Sequence, residues 1–125
     1  MKSRWVEHRG KRVFIADFTN FGAHAEALKA ECAEIVAVLR NEPEDSVLAI
    51  SDINGTAATP QTLQAIKGLV TETNRYVQKR AVIGVGRYQK YFLDAFAIFT
   101  GDVTFVRHET LQQALDWITR AARSS

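Results

Sequence analysis

Residues 79–102, KRAVIGVGRYQKYFLDAFAIFTGD, decide how the rest of the chain is arranged. Residues 81–85 form a short apolar run rich in β-branched side chains, which predicts a strand buried on both faces. Gly84 and Gly86 allow a sharp turn after it. The apolar residues then recur at helical spacing, at Tyr88, Tyr91, Phe92, Ala95, Phe96 and Phe99. Because Leu93 and Ile98 widen this stripe, the helix needs a second partner besides the sheet.

Outward from this stretch, strands and helices alternate along the chain. Strands are predicted over residues 4–8, 11–17, 46–52 and 103–106, and helices over 23–41, 60–78 and from Thr110 onward. The first two strands are joined by a turn at Gly10. The order ββαβαβαβα predicts an α/β fold, with a mostly parallel sheet and an N-terminal antiparallel edge hairpin.

Composition restricts the class of protein. The 125 residues suit a single domain, 1–125, and a net charge of +2 argues against a nucleic-acid binder. The lone Cys32 excludes an intramolecular disulfide. The N-terminus does not resemble a signal peptide, and no apolar run approaches the roughly 20 residues that span a bilayer. We therefore expect a cytoplasmic protein, with any membrane contact peripheral.

The aromatic helix is the candidate binding element. Its rings could line an apolar ligand pocket, a membrane-facing surface or a homodimer face, or they could cover the sheet; we expect some rings in the core and the excess available for binding. The rings concerned are Tyr88, Tyr91, Phe92, Phe96 and Phe99. Arg87 and Lys90 beside them are candidates for a lipid headgroup or anionic membrane, and otherwise form a solvated surface. Arg75, Lys79 and Arg80 could contribute to the same contact, but are interpreted as complementing the helix dipole at a solvated helix end.

Catalytic patterns have little support. Position 89 is glutamine, so Gly84-x-Gly86 lacks the third glycine of a dinucleotide fingerprint. Asp17 and Asp52 end neighbouring strands and could bind Mg²⁺ or share a proton, but aspartate before a loop is commonly a turn former. The histidines have no metal-ligand spacing, and no nucleophile motif is present. The sequence predicts no catalytic residues, no metal site and no cofactor.

Ordered motifs along the chain carry a family resemblance. They are His8-Arg9-Gly10-Lys11, Ala16-Asp17, Ser46-Val47-Leu48, Asn74-x-Tyr76-Val77-x-Lys79, residues 81–85 and Thr110-x-x-x-Ala114-Leu115-x-Trp117-Ile118. Together they resemble the SpoIIAA-like proteins, small bacterial STAS/SEC14-type domains. The resemblance implies a STAS-like α/β fold without known catalytic activity. It also implies a likeness to lipid-binding CRAL-TRIO (SEC14) domains, with roles in binding apolar ligands and associating with membranes.

The same resemblance suggests an alternative function. Phosphorylated STAS switches, the anti-sigma-factor antagonists, carry an Asp-Ser-Ser-Gly-type site where the second buried strand meets the next helix. This chain has NGTAATP there, at residues 54–60, so the motif is missing and Thr59 or Thr56 is the candidate phosphoacceptor. The favoured expectation is a non-enzymatic module that binds a lipid-like ligand or a membrane through residues 88–99. The alternatives are a protein-interaction switch and a small metal-dependent enzyme using Asp17 and Asp52.

Overall fold

A five-stranded sheet with helices on both faces forms the frame of the molecule. The computed structural model describes residues 1–106 and 110–120, without the side chains of residues 89, 105 and 106. The strands are β1 (Arg4–His8), β2 (Lys11–Asp17), β3 (Val47–Asp52), β4 (Val77–Ile83) and β5 (Asp102–Val106). The helices are α1 (Ala25–Leu39), α2 (Pro60–Thr73), α3 (Gln89–Phe96) and α4 (Leu111–Ile118), and a 3₁₀ turn (Gly86–Tyr88) precedes α3. The predicted order ββαβαβαβα is confirmed.

The strands lie in the order in which they occur along the chain. β1 pairs antiparallel with β2, and the remaining neighbours pair in parallel. Arg9 and Gly10, at φ 52° and 77°, form the hairpin turn, because two consecutive positive φ angles match the twist of the strands it joins. The predicted antiparallel edge hairpin and parallel remainder are both confirmed.

Each face of the sheet has its own hydrophobic core. One core lies between the sheet and helices α1, α2 and α3, and is here called the main core. The sheet contributes to it Phe14, Ala16, Ala49 and Val82. Alternate residues of the same strands point the other way and pack against Ala114 and Ile118 of α4; they are Val13, Ile15, Leu48, Ile50, Ala81 and Ile83. This two-sided burial explains why β3 and β4 read as continuous apolar runs.

Helices α2 and α4 begin where the sequence predicts. The Thr59 side chain accepts a hydrogen bond from the Thr62 amide, the Thr62 side chain accepts one from the Thr59 amide, and Pro60 occupies the first turn. Thr110 and Gln113 make the same reciprocal pair at α4. Side-chain oxygens thus satisfy amides that a helix leaves unpaired at its N-terminus.

The predicted boundaries on either side of β4 are wrong. Helix α2 ends at Thr73 rather than at residue 78, and β4 begins at Val77 rather than at residue 81, because Val77 pairs with Val47 of β3. Lys79 and Arg80 therefore belong to a strand instead of a helix end. The apolar pattern that continues to Phe99 predicts a longer third helix than the structure has, because α3 ends at Phe96.

Candidate binding surface on helix α3

The turn between β4 and α3 is held against the loop that follows β3. Gly84 has φ 76°, and a Cβ there would lie 2.7 Å from the Asn54 amide nitrogen and 2.9 Å from Asp52 Oδ1. Only glycine combines this angle with so close an approach. The 3₁₀ turn follows, and the Tyr88 amide donates to the Val85 carbonyl at 3.0 Å. No side chain caps α3, so backbone contacts hold its start.

The structure divides the predicted aromatic set into two parts. Phe92, Phe96 and Phe99 are 0%, 1% and 7% exposed and belong to the main core. Tyr88 is partly buried and meets Phe92 edge to face, with 6.4 Å between ring centroids. The three phenylalanines therefore cover the sheet, and any direct surface contact falls to other residues.

Other positions of α3, and of the turn after it, leave large apolar side chains in water. Tyr91, Leu93 and Ile98 are 53%, 47% and 38% exposed, and among the described residues Met1 is the one other large hydrophobic side chain this exposed. Leu93 and Ile98 widen the apolar stripe in the sequence, but they were not predicted as site residues because the rings dominate the pattern.

Charged side chains accompany these apolar residues. Arg87 and Lys90 are exposed, and the Arg87 guanidinium lies 5.4 Å from the centroid of the Tyr88 ring. Asp94 is also exposed, one helical turn from Tyr91. The α3 surface is defined here as Arg87, Lys90, Tyr91, Leu93, Asp94 and Ile98. Its two cations outnumber its single carboxylate.

A small cavity lies beside the α3 surface at the carboxyl ends of the strands. Its volume is about 360 Å³, and four glycines, with Thr56, Arg87 and Tyr88, contribute to its lining: Gly22, Gly55, Gly84 and Gly86. Ligand cavities usually measure about 300–1,000 Å³, so this one suits a small group. In open α/β sheets this edge is also where ligands commonly bind.

The three basic residues interpreted as a solvated helix end have separate environments. Arg75 is exposed and pairs with Glu44 at 2.7 Å. Lys79 is half-buried on the α4 face, where its Nζ donates to the Trp117 carbonyl at 3.1 Å, and burial lowers its pKa. Arg80 is only 2% exposed. The interpretation is therefore wrong for Lys79 and Arg80, because strand β4 turns them toward the two cores.

Thr56 and Thr59 differ in accessibility. Thr56 is 4% exposed; its hydroxyl donates to the Phe18 carbonyl and accepts from the Phe21 amide at 3.2 Å. Thr59 is partly buried, and its hydroxyl accepts from the Thr62 amide at 3.1 Å at the start of α2. Of the two hydroxyls, Thr59 lies nearer to solvent.

Asp17 and Asp52 face each other in register at the sheet edge, and each forms a turn. Asp17 Oδ1 accepts from the Thr19 amide and hydroxyl at 3.0 and 2.6 Å, and Asp52 Oδ1 accepts from the Asn54 amide at 3.1 Å. Burial raises the pKa of Asp52. Burial also acts to raise the pKa of Asp17. The hydrogen bonds from Thr19 and the positive charges of Lys2 and Arg4 outweigh it, so the pKa of Asp17 is lowered overall.

Within 1–106 and 110–120, no three or more His, Cys, Asp or Glu side chains are grouped so that they could hold a metal ion. In the same part of the chain, every helix is too short or too polar to cross a bilayer.

Comparison with solved structures identifies a similar fold. An uncharacterized protein from the DUF3478 family of Shewanella loihica PV-4, with a SpoIIAA-like fold, superposes with a TM-score of 0.72. The two chains are 17% identical over 93% of this chain and 91% of that one. No protein-family model matches the sequence, and comparison with curated proteins finds no match. The likeness shows a SpoIIAA-like fold; the predicted likeness to SEC14 (CRAL-TRIO) domains stays a prediction.

Proposed function

We propose that this protein is a non-enzymatic binding module whose α3 surface makes reversible contact with anionic lipid membranes. One observation carries the proposal. Three of the four large hydrophobic side chains most exposed among the described residues lie on α3 and the turn after it, beside Arg87 and Lys90. Exposed apolar side chains grouped in one region of a protein surface often mark an interaction site.

The composition of the α3 surface suits a lipid interface. Full burial of one large apolar side chain is worth roughly 1.5–3 kcal/mol, and Tyr91, Leu93 and Ile98 each retain about half or less of their area for such burial. Each basic residue near an anionic surface adds about 1 kcal/mol, which Asp94 partly opposes. The sum is a few kcal/mol, so binding is weak, reversible and reduced by salt.

Vesicle flotation tests the proposal. We expect the protein to float with vesicles of phosphatidylcholine and phosphatidylglycerol more than with pure phosphatidylcholine. Arg87→Glu with Lys90→Glu should weaken binding about tenfold or more, because repulsion replaces attraction at both positions. The control, Lys29→Glu with Lys67→Glu, changes net charge equally on α1 and α2 and should leave most binding intact. Equal loss in both variants, or no flotation of the wild type, would refute the proposal.

A second pair of changes tests the apolar contribution. Leu93→Ser with Ile98→Ser should reduce flotation and leave the helical circular dichroism unchanged, because both side chains are exposed. Light scattering of the same variant separates lipid binding from homodimer formation. A wild-type dimer that becomes monomeric in the variant, without any vesicle binding, would assign the α3 surface to a subunit interface and exclude the lipid role.

Phosphorylation of Thr59 is the second candidate function. Thr59 caps α2, where a phosphoryl group would meet the positive end of the helix dipole. Thr56 is the poorer acceptor, because its hydroxyl is buried and bonded to the Phe18 carbonyl. Incubation with bacterial lysate and ATP should modify the peptide containing residues 54–60 at Thr59 and not in Thr59→Ala. An unmodified peptide, with kinase activity confirmed in the lysate, would reject this candidate.

A further inference from the structure

Arg80 is the one buried basic side chain among the described residues. It is 2% exposed and lies on the main-core face of β4, opposite Ala49. Its Nη2 donates to Thr73 Oγ1 at 3.3 Å, and its Nε has no hydrogen-bond partner. Burial lowers its pKa to about 10, so the guanidinium remains charged at neutral pH.

The charge of Arg80 is not matched by a carboxylate. None of the ion pairs formed within residues 1–106 and 110–120 includes it. Its guanidinium carbon instead lies 5.1 Å from the Phe99 ring centroid and 5.7 Å from that of Phe96. Arginine is almost never fully buried unless it is paired, and ring faces replace only part of its lost hydration.

Ser51 provides a second unpartnered polar group on the same face of the sheet. Its hydroxyl is fully buried and has no hydrogen-bond partner. Ser51 pairs with Val82, two residues beyond Arg80, so Ser51 and Arg80 are diagonal neighbours on adjacent strands. Buried polar side chains are generally hydrogen-bonded, so two unsatisfied groups on neighbouring strands of one face of the sheet are unusual.

Phe99 is the ring nearest to the Arg80 guanidinium. It belongs to the short connection between α3 and β5 and is 7% exposed. A Cβ on Gly101 would lie 2.9 Å from the Phe99 ring, so the ring is seated against the backbone there. Beyond this contact, the Thr100 amide reaches Asn74 Oδ1 at a long 3.4 Å. The ring nearest to Arg80 therefore belongs to the short connection between α3 and β5.

We propose that Arg80 binds the carboxylate of a long-chain carboxylic acid, whose alkyl chain takes the place of the Phe99 ring in the main core. This inference rests on the proposed lipid contact, since it names the ligand that enters beside the α3 surface. The ring holds the site closed and faces the guanidinium until the ligand displaces it.

A carboxylate fits this site better than a phosphate. The guanidinium fork matches the two oxygens of a carboxylate, and one buried cation neutralises one negative charge. A phosphate monoester carries about two negative charges at neutral pH and would need a second buried cation. Arg80 has no such neighbour among the described residues.

Isothermal titration with dodecanoate and with dodecanol, which has the same chain without the charge, tests the inference. Wild-type protein should bind dodecanoate about tenfold or more tightly than dodecanol, as expected for a buried charge pair. Arg80→Met should bind both compounds alike. It should also melt at a temperature no lower than that of the wild type, because methionine fills the space without a buried charge. Arg75→Met, at an exposed arginine, should keep the preference.

Three results would overturn the inference: equal binding of both compounds by the wild type, a preference retained in Arg80→Met, or a lowered melting temperature of Arg80→Met with its binding unchanged. If Arg80→Met does not fold, Arg80→Lys provides a second test. It keeps the positive charge without the paired N–H donors of the guanidinium, and should lose most of the preference for dodecanoate over dodecanol. Vesicle flotation separates this inference from the proposed function. Flotation without a dodecanoate preference rejects the inference alone, whereas absent flotation rejects the proposed function.

Discussion

Helices α2 and α3 cover the same face of the sheet but are built differently. Helix α2 has 14 residues, a reciprocal side-chain cap and a proline in its first turn. Helix α3 has eight residues, no side-chain cap and a 3₁₀ entry. Helix α2 buries Ile66, Leu69 and Val70, and none of its large apolar residues is strongly exposed. Helix α3 buries phenylalanines and still leaves Tyr91 and Leu93 in water.

The two helices differ in how much large apolar surface they leave exposed to solvent. The apolar residues of α2 are accounted for by the main core, so its sequence needs no other explanation. Helix α3 instead leaves Tyr91 and Leu93 exposed, and its Phe96 ring lies 5.7 Å from the buried Arg80 guanidinium. Both helices contribute buried side chains to the main core, but only α3 also leaves large apolar side chains exposed.

The largest predicted effect concerns the two sides of α3. Phe92→Ala should lower the free energy of unfolding by about 3–5 kcal/mol, because Phe92 is 0% exposed and truncation leaves a cavity. Leu93→Ala, at the adjacent exposed position, should change it by about 0.5 kcal/mol or less. Urea denaturation followed by circular dichroism measures both. Similar losses for the two variants would show that α3 packs on both sides and has no free surface.

A smaller effect is expected at the start of α2. Thr59→Ala removes the side-chain cap and should cost about 1 kcal/mol in the free energy of unfolding. Thr71→Ala on the exposed side of the same helix is the matched control and should cost about 0.5 kcal/mol or less. If the two variants unfold at the same urea concentration, the cap does not distinguish α2 from α3 energetically.

The smallest predicted effect is the rate of thiol labelling at Cys32, which should be very low. Cys32 is 6% exposed in α1 beside α2, and burial with the nearby Glu31 charge raises its pKa to about 12. Because the thiolate is the reactive form, a disulfide reagent should label the native protein very slowly at neutral pH and little faster at mildly alkaline pH. Leu93→Cys in a Cys32→Ala background should react rapidly. Labelling of native Cys32 as fast as that of Cys at position 93 would show that Cys32 is accessible, and would contradict this prediction.

Much of the fold could be predicted because local patterns and tertiary packing agree. Gly10, Thr59-Pro60 and Thr110-x-x-Gln113 mark turns and helix starts by local chemistry, and each is found where predicted. The start of β4 was missed because Val77 continues the helical spacing of α2. Pairing with Val47 draws it into the sheet instead. Helix or strand is decided there by a long-range partner, which local periodicity does not contain.

The candidate site was predicted only in part. The excess of apolar residues on α3 was recognisable, since one stripe of a helix cannot bury so many. Its division into buried Phe92, Phe96 and Phe99 and exposed Tyr91, Leu93 and Ile98 was not. Arg80 shows the limit most clearly: in the sequence it is one of several basic residues near a helix end.

The sequence by itself determined the alternation of strands and helices, the parallel sheet with its antiparallel edge and the apolar surplus at residues 88–99, because periodicity and turn chemistry are local properties. Only the tertiary structure decided which side of α3 faces water and that Arg80 lies beneath Phe99 without a carboxylate. Burial depends on what packs above each residue, and for Arg80 that cover comes from a segment some 20 residues further along the chain.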